Sequence, residues 1–132
     1  MTGVDTTFII DLFRGSLKAT KLLEDLWEKG ERVSTTVINL AELYRGAFSH
    51  SRADEKLREI EDMKDLLVVL DMKAESAKLY GRIYAELKKK GKIAKDRDIV
   101  ISSIFLSFGE RKIITRDEKH FRDIGGIEVV AY

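Results

Sequence analysis

The strongest constraint on this chain is an alternation of short apolar runs with longer segments whose apolar residues recur at helical spacing. Met1–Val4, Arg32–Thr35, Leu66–Leu70, Lys112–Thr115 and Glu128–Ala131 read as strands. Asp5-Thr6-Thr7 can cap a helix to Arg14 that carries Phe8, Ile9, Leu12 and Phe13 on one face. A second helix, about Leu17–Lys29, aligns Leu22, Leu23, Leu26 and Trp27 and stops at Gly30. Ser34, Thr35 or Thr36 can cap a third through Val37, Leu40, Ala41 and Tyr44, with Gly46 as its bend or end, and a polar helix follows over Asp54–Lys64. Asp71 can cap a long helix through Ala77, Tyr80, Ile83, Tyr84 and Leu87 into Lys88–Lys90 and Gly91, where basic residues suit the C-terminus. A helix near Asp98–Ser107 stops at Gly109, and a short one follows Asp117. Continuous rather than alternating hydrophobicity in the strands implies a parallel sheet covered on both faces. The expected fold is a three-layer α/β/α domain around a central, mainly parallel sheet.

A chain of 132 residues suits one domain, here residues 1–132, with no repeat or linker to divide it. The 24 Lys and Arg nearly cancel the 23 Asp and Glu, so bulk charge neither selects nor excludes nucleic acid. Absence of Cys removes disulfides, thiolate zinc sites and a Cys nucleophile. No stretch approaches the roughly 18 apolar residues of a membrane span, and Met1–Asp11 lacks a basic region leading into an apolar run. The expected location is the cytoplasm.

In open parallel sheets the functional crevice lies at the carboxyl ends of the strands. Asp5 and Asp117 follow strands, and Asp98 opens a helix continuing in Ile99, Val100 and Ile101. Glu42 lies within a helix otherwise dominated by apolar and small residues, where an acid needs a partner. Converging carboxylates make a hard, oxygen-only site suited to Mg²⁺ or Mn²⁺. Each acid also has a plainer reading: Asp5, Asp98 and Asp117 as helix N-caps, and Glu42 as a solvated position or one paired with Arg45.

Val4-Asp5-Thr6, Ser34-Thr35-Thr36 with Val37–Leu43, Asp98–Ile101, and Ile114-Thr115-Arg116-Asp117 with Lys119-His120-Phe121 together resemble a PIN domain, specifically a VapC-type toxin ribonuclease. The likeness covers nearly the whole chain, through Gly126–Val129. It implies that Asp5, Glu42 and Asp98 bind a divalent metal and that Asp117 supplies a fourth ligand. Thr6 and Thr115 match supporting positions. Asp96-Arg97-Asp98 offers two acids where the pattern has one; Asp98, counted from Gly91 and set before the apolar run, fits as ligand and Asp96 as N-cap. Ser102 and Ser103 stand where many members have alanine, and Asp11 is expected to face solvent or a basic partner.

The implied chemistry is hydrolysis of an RNA phosphodiester, one or two Mg²⁺ or Mn²⁺ ions activating water and stabilising the leaving oxygen. Arg116, ahead of Arg14 and Arg45, is the favoured cation for RNA, with Lys88–Lys90, Lys92, Lys95, Arg97 and Lys119 as further candidates. His50 and His120 are read as surface or phosphate-contacting residues rather than proton donors. The resemblance also implies a small inhibitory antitoxin and a homodimer. Phe13, Tyr44, Phe48, Tyr80 and Tyr84 could serve such surfaces, core packing being the stronger expectation. Two rivals are a PIN-type RNA-processing nuclease without antitoxin and a Mg²⁺-binding receiver-like phosphoacceptor switch. The second wants paired acids after strand one, where this chain has two threonines.

Overall fold

The computed structural model describes all 132 residues. In chain order the elements are β1 (Thr2–Val4), α1 (Thr6–Phe13), α2 (Leu17–Glu28), β2 (Val33–Thr36), α3 (Val37–Phe48) and α4 (Ala53–Lys64). They continue as β3 (Val68–Leu70), α5 (Ala74–Lys89), α6 (Asp96–Ser107), β4 (Lys112–Ile114), α7 (Glu118–Phe121) and β5 (Glu128–Val130). The five strands form one sheet in the order β3-β2-β1-β4-β5, every pair parallel. The expected α/β/α architecture is therefore the observed one.

Adjacent residues of a strand point to opposite faces, and Ile113 and Ile114 of β4 accordingly enter two different apolar clusters. Ile114 joins Val4, Phe8, Ile9, Leu23, Leu43 and Ile60. Ile113 joins Ile83, Leu87, Ile99, Ile104, Phe105 and Phe121. The sheet is thus sealed by α1–α4 on one side and α5–α7 on the other. β2 is Val-Ser-Thr-Thr and fully buried, which its hydroxyls make tolerable: Thr35 Oγ1 donates to the Val4 carbonyl at 2.9 Å. Gly3 belongs on β1 because a Cβ there would lie 2.6 Å from the buried Phe105 ring.

Several boundaries differ from expectation. Gly46 does not end α3, because Leu43 and Ala47 are buried in the same cluster as Ile60 and Met63 of α4, and that packing carries the helix on to Phe48. Asp71 does not cap α5; the N-cap is Lys73, whose backbone N–H donates to Ser76 Oγ at 3.1 Å. Asp96 is the first residue of α6 rather than its cap, and its carboxylate accepts from the Tyr80 hydroxyl at 2.8 Å. Phe48 and Tyr84 are not core residues; both are exposed, Tyr84 stacking on Tyr80. Gly30 does close α2: with φ +74° it lets the Glu31 N–H reach the Leu26 carbonyl at 2.9 Å. No helix is long and apolar enough to cross a membrane.

Candidate active site

The sheet order places the start of the chain in the middle, so connections leave β1 and β4 in opposite directions and open a crevice at their carboxyl ends. Helices returning between parallel strands begin at that same edge, and their N-termini favour negative charge. Asp5 stands there at the end of β1, its backbone N–H bonded to the Ile114 carbonyl at 3.3 Å. Its Oδ1 accepts from Phe8 N at 3.2 Å and from Thr7 Oγ1 at 2.6 Å, and its Oδ2 accepts from Thr115 Oγ1. Capping and site placement thus coincide in one residue. Burial pushes the Asp5 carboxyl above the usual carboxylate range, the bonds from Thr115, Thr7 and Phe8 partly offset this, and the charge of Asp117 adds to the rise.

Thr115, fully buried, also accepts the Asp117 N–H at 2.9 Å and so joins the first and last acids of the set. Asp117 makes no side-chain capping bond on α7. Glu42 projects from α3, its Oε1 accepting from Thr6 Oγ1 at 2.9 Å. Thr6 in turn accepts from Asn39 Nδ2 at 3.0 Å, and Asn39 is locked in the capping box of Thr36. The cation beside Glu42 is Arg97, not the neighbouring Arg45. Asp98, in the first turn of α6 and 1% exposed, takes Arg97 Nη2 on Oδ1 at 3.0 Å and has His120 Nδ1 3.4 Å from Oδ2. His120 therefore sits beside an acid rather than free on the surface.

Asp5, Thr6, Glu42, Arg45, Arg97 and Asp117 share the lining of one groove of about 290 Å³. Asp98 does not line it; Arg97, which does, carries its contact. No three Asp, Glu or His side chains close around a common point in this arrangement. Arg14 faces a different groove, between α1, α3 and α4. Of the two expectations for Asp11, solvent or a basic partner, the second holds: Arg116 pairs with it at 3.2 Å, and the carboxylate is nearly buried and bonded to the Tyr132 hydroxyl. Burial, then the bond to Asp11, raises the Tyr132 hydroxyl far above the ordinary tyrosine range.

A hard divalent cation fits the donor set. All its acidic donors are carboxylate oxygens, and Asp5 lies buried beside Asp117 with only neutral hydrogen-bond donors. Asn39, Thr7 and the bridging role of Arg97 were not legible as site features in the sequence. The only signal for Asn39 was a polar residue three positions after a capping threonine.

An all-parallel sheet of this order with acids converging on its carboxyl edge defines a class, and the chain belongs to the PIN domain family, whose model matches residues 4–127. Among its relatives is Ribonuclease VapC3 of Methanocaldococcus jannaschii, 35% identical over 102 residues, covering 77% of this chain and 95% of that protein. In three dimensions it resembles the structure of VapBC-1 from nontypeable Haemophilus influenzae, with TM-score 0.85, 26% identity and coverage of 98% and 96% of the two chains. The fold is also shared with VapBC2 from Rickettsia felis, a structure bound to a DNA fragment from the promoter, at TM-score 0.90, 21% identity and coverage of 99% and 98%. The family match displaces the receiver-like reading.

Proposed function

We propose that this protein is a divalent-metal-dependent endoribonuclease of VapC type, the toxin of a toxin–antitoxin pair, with residues 1–132 acting as one nuclease domain in the cytoplasm. The observation that carries the reading is the groove bringing Asp5, Glu42 and Asp117 together, with Asp98 joined to it through Arg97. Asp5, Glu42, Asp98 and Asp117 would hold the metal, Mg²⁺ or Mn²⁺ by the hardness of the donors. When bound, the ion supplies charge neutralisation at the scissile phosphate and activation of the attacking water.

The chain's own residues prepare that chemistry. Thr115 holds Asp5 and the Asp117 backbone in one register, and Thr6 with Asn39 fixes the Glu42 carboxylate. Arg45, on the groove wall, is placed to take an RNA phosphate. Arg14 and Arg116 lie further out and serve the RNA backbone beyond the scissile bond, Arg116 after exchange of Asp11 for phosphate. The adjoining groove of about 360 Å³, walled by Ile10, Phe13, Leu43, Ala47 and Ile60, shares Glu42 with the acidic one. It suits an apolar antitoxin segment whose seating would cover the acids, and exposed aromatic residues such as Phe48 and Tyr84 suit a homodimer contact.

The test is cleavage of structured and single-stranded RNA by purified protein in Mg²⁺, Mn²⁺ or EDTA, comparing wild type with Asp98→Asn and Glu42→Gln. Cleavage should vanish in EDTA and fall by about 100-fold or more in each variant, the scale of losing a charged transition-state stabiliser. Metal-independent cleavage, or full activity in both variants, would sink the mechanism.

A further inference from the structure

We propose that Arg97 is a tethered counter-cation: it occupies the positive position between Glu42 and Asp98 and must swing out before a divalent ion can use both carboxylates. It thereby sets the metal concentration at which the enzyme becomes active. The inference rests on the metal-dependent reading above.

The two carboxylates come from α3 and α6, and one guanidinium spans them, Nη1 on Glu42 Oε2 and Nη2 on Asp98 Oδ1 at 3.0 Å. Glu42 Oε1 also accepts from Thr6, and Asp98 Oδ2 lies 3.4 Å from His120 Nδ1 without a hydrogen bond between them. Arg97 thus holds one oxygen of each acid at once, which a divalent ion using both acids must take over. A guanidinium stays protonated at any working pH, so it leaves only by displacement.

Exposure shows the direction of that displacement. The side chain of Arg97 is 42% exposed, those of Glu42 and Asp98 are 14% and 2% exposed, so the cation lies on the solvent side of the acids. Its departure opens no core. The exchange swaps one monovalent charge, partly hydrated, for a divalent one that meets the same oxygens. Each such half-exposed pair is worth a few-fold, and the two together about one tenfold step in affinity.

The experiment is calorimetric titration of EDTA-stripped full-length protein with Mn²⁺, on wild type, Arg97→Gln and Arg97→Lys, paired with thermal melts with and without the metal. Arg97→Gln should bind Mn²⁺ about tenfold more tightly, a ratio equal to about 1.4 kcal/mol. Its metal-free melting point should fall while its metal-induced rise grows, because Glu42 and Asp98 then repel each other until the ion arrives. Arg97→Lys, which keeps a charge but cannot span both acids, should lie between and serves where the Gln variant fails to fold. Unchanged or weaker Mn²⁺ affinity in a folded variant, or equal destabilisation with and without metal, would overturn the inference while leaving the metal reading intact. If wild type and variants all take up no Mn²⁺, both fall together.

Discussion

Replacing Thr115 by Val isolates the support given to Asp5, because the shape is kept and only the hydroxyl is lost. Thr115 is fully buried; its Oγ1 donates to Asp5 Oδ2 and accepts the Asp117 N–H at 2.9 Å. A hydrogen bond to a charged group contributes about 1.5–3 kcal/mol, and one pH unit corresponds to about 1.36 kcal/mol. Burial already raises the Asp5 carboxyl, and the Thr115 bond is the first of the effects holding it down. Its loss should move ionisation upward. Since only ionised Asp5 can serve a cation, the acid limb of the pH–rate profile should move to higher pH, the alkaline limb staying in place. Stability should follow the same sign. A carboxyl raised in the folded state favours folding at low pH and loses that advantage as pH rises through its folded value. The variant, raised further, should be less stable than wild type near neutrality and approach it in acid, where Asp5 is protonated in both. pH–rate profiles at sub-saturating Mn²⁺, where proton and metal compete for Asp5, and metal-free thermal melts at about pH 7 and about pH 4 read both effects. An unmoved acid limb with equal destabilisation at both pH values would show that Thr115 only packs.

Three further substitutions test the frame around the site. Gly3→Ala sets a methyl 2.6 Å from the fully buried Phe105 ring, and overpacking should cost about 1–3 kcal/mol in a urea melt; no loss would mean that the ring yields freely. Ser102→Ala removes a buried hydroxyl that has no partner and should be neutral or stabilising by up to about 1 kcal/mol, whereas Ser103→Ala forfeits a bond to the Ile99 carbonyl at 2.6 Å. Thermal melts showing Ser102→Ala the less stable of the two would refute this ranking.

β3 and β4 were legible as short apolar runs, and their parallel order followed from the helices between the strands, whereas β2, Val-Ser-Thr-Thr, is buried through hydroxyl bonds rather than apolar character. Caps were less legible, since several polar residues compete at each helix start and tertiary contacts choose among them. Asp71 loses α5 to Lys73, whose backbone N–H donates to Ser76, and Asp96 is drawn to Tyr80 instead of its own helix. Glu42 stood out as an acid in an apolar segment, but its partner lies 55 residues away, beyond any helical period. A basic partner for Asp11 was anticipated, but that it is Arg116, with Tyr132 beside it, was invisible for the same reason. Local spacing reports local faces; pairings across the crevice appear only once the sheet order is known.

That crevice treats its acids unequally, and the inequality follows from where each one sits. Asp5, at a strand end between two neighbouring strands, has room for donors of small size only, and receives two threonine hydroxyls and one backbone N–H. Glu42 and Asp98, on α3 and α6, are bridged by the half-exposed side chain of Arg97 and receive a guanidinium. Neutral donors lower a carboxylate's desolvation cost without cancelling its charge, so Asp5 stays above the ordinary range while Glu42 and Asp98 have a cation beside them. Asp5 is therefore a buried negative charge left without a cation, and a divalent ion gains most where it approaches Asp5 and Asp117 first. Meeting Asp5 with neutral donors alone keeps an uncompensated carboxylate in the groove, which is the condition for binding a metal there.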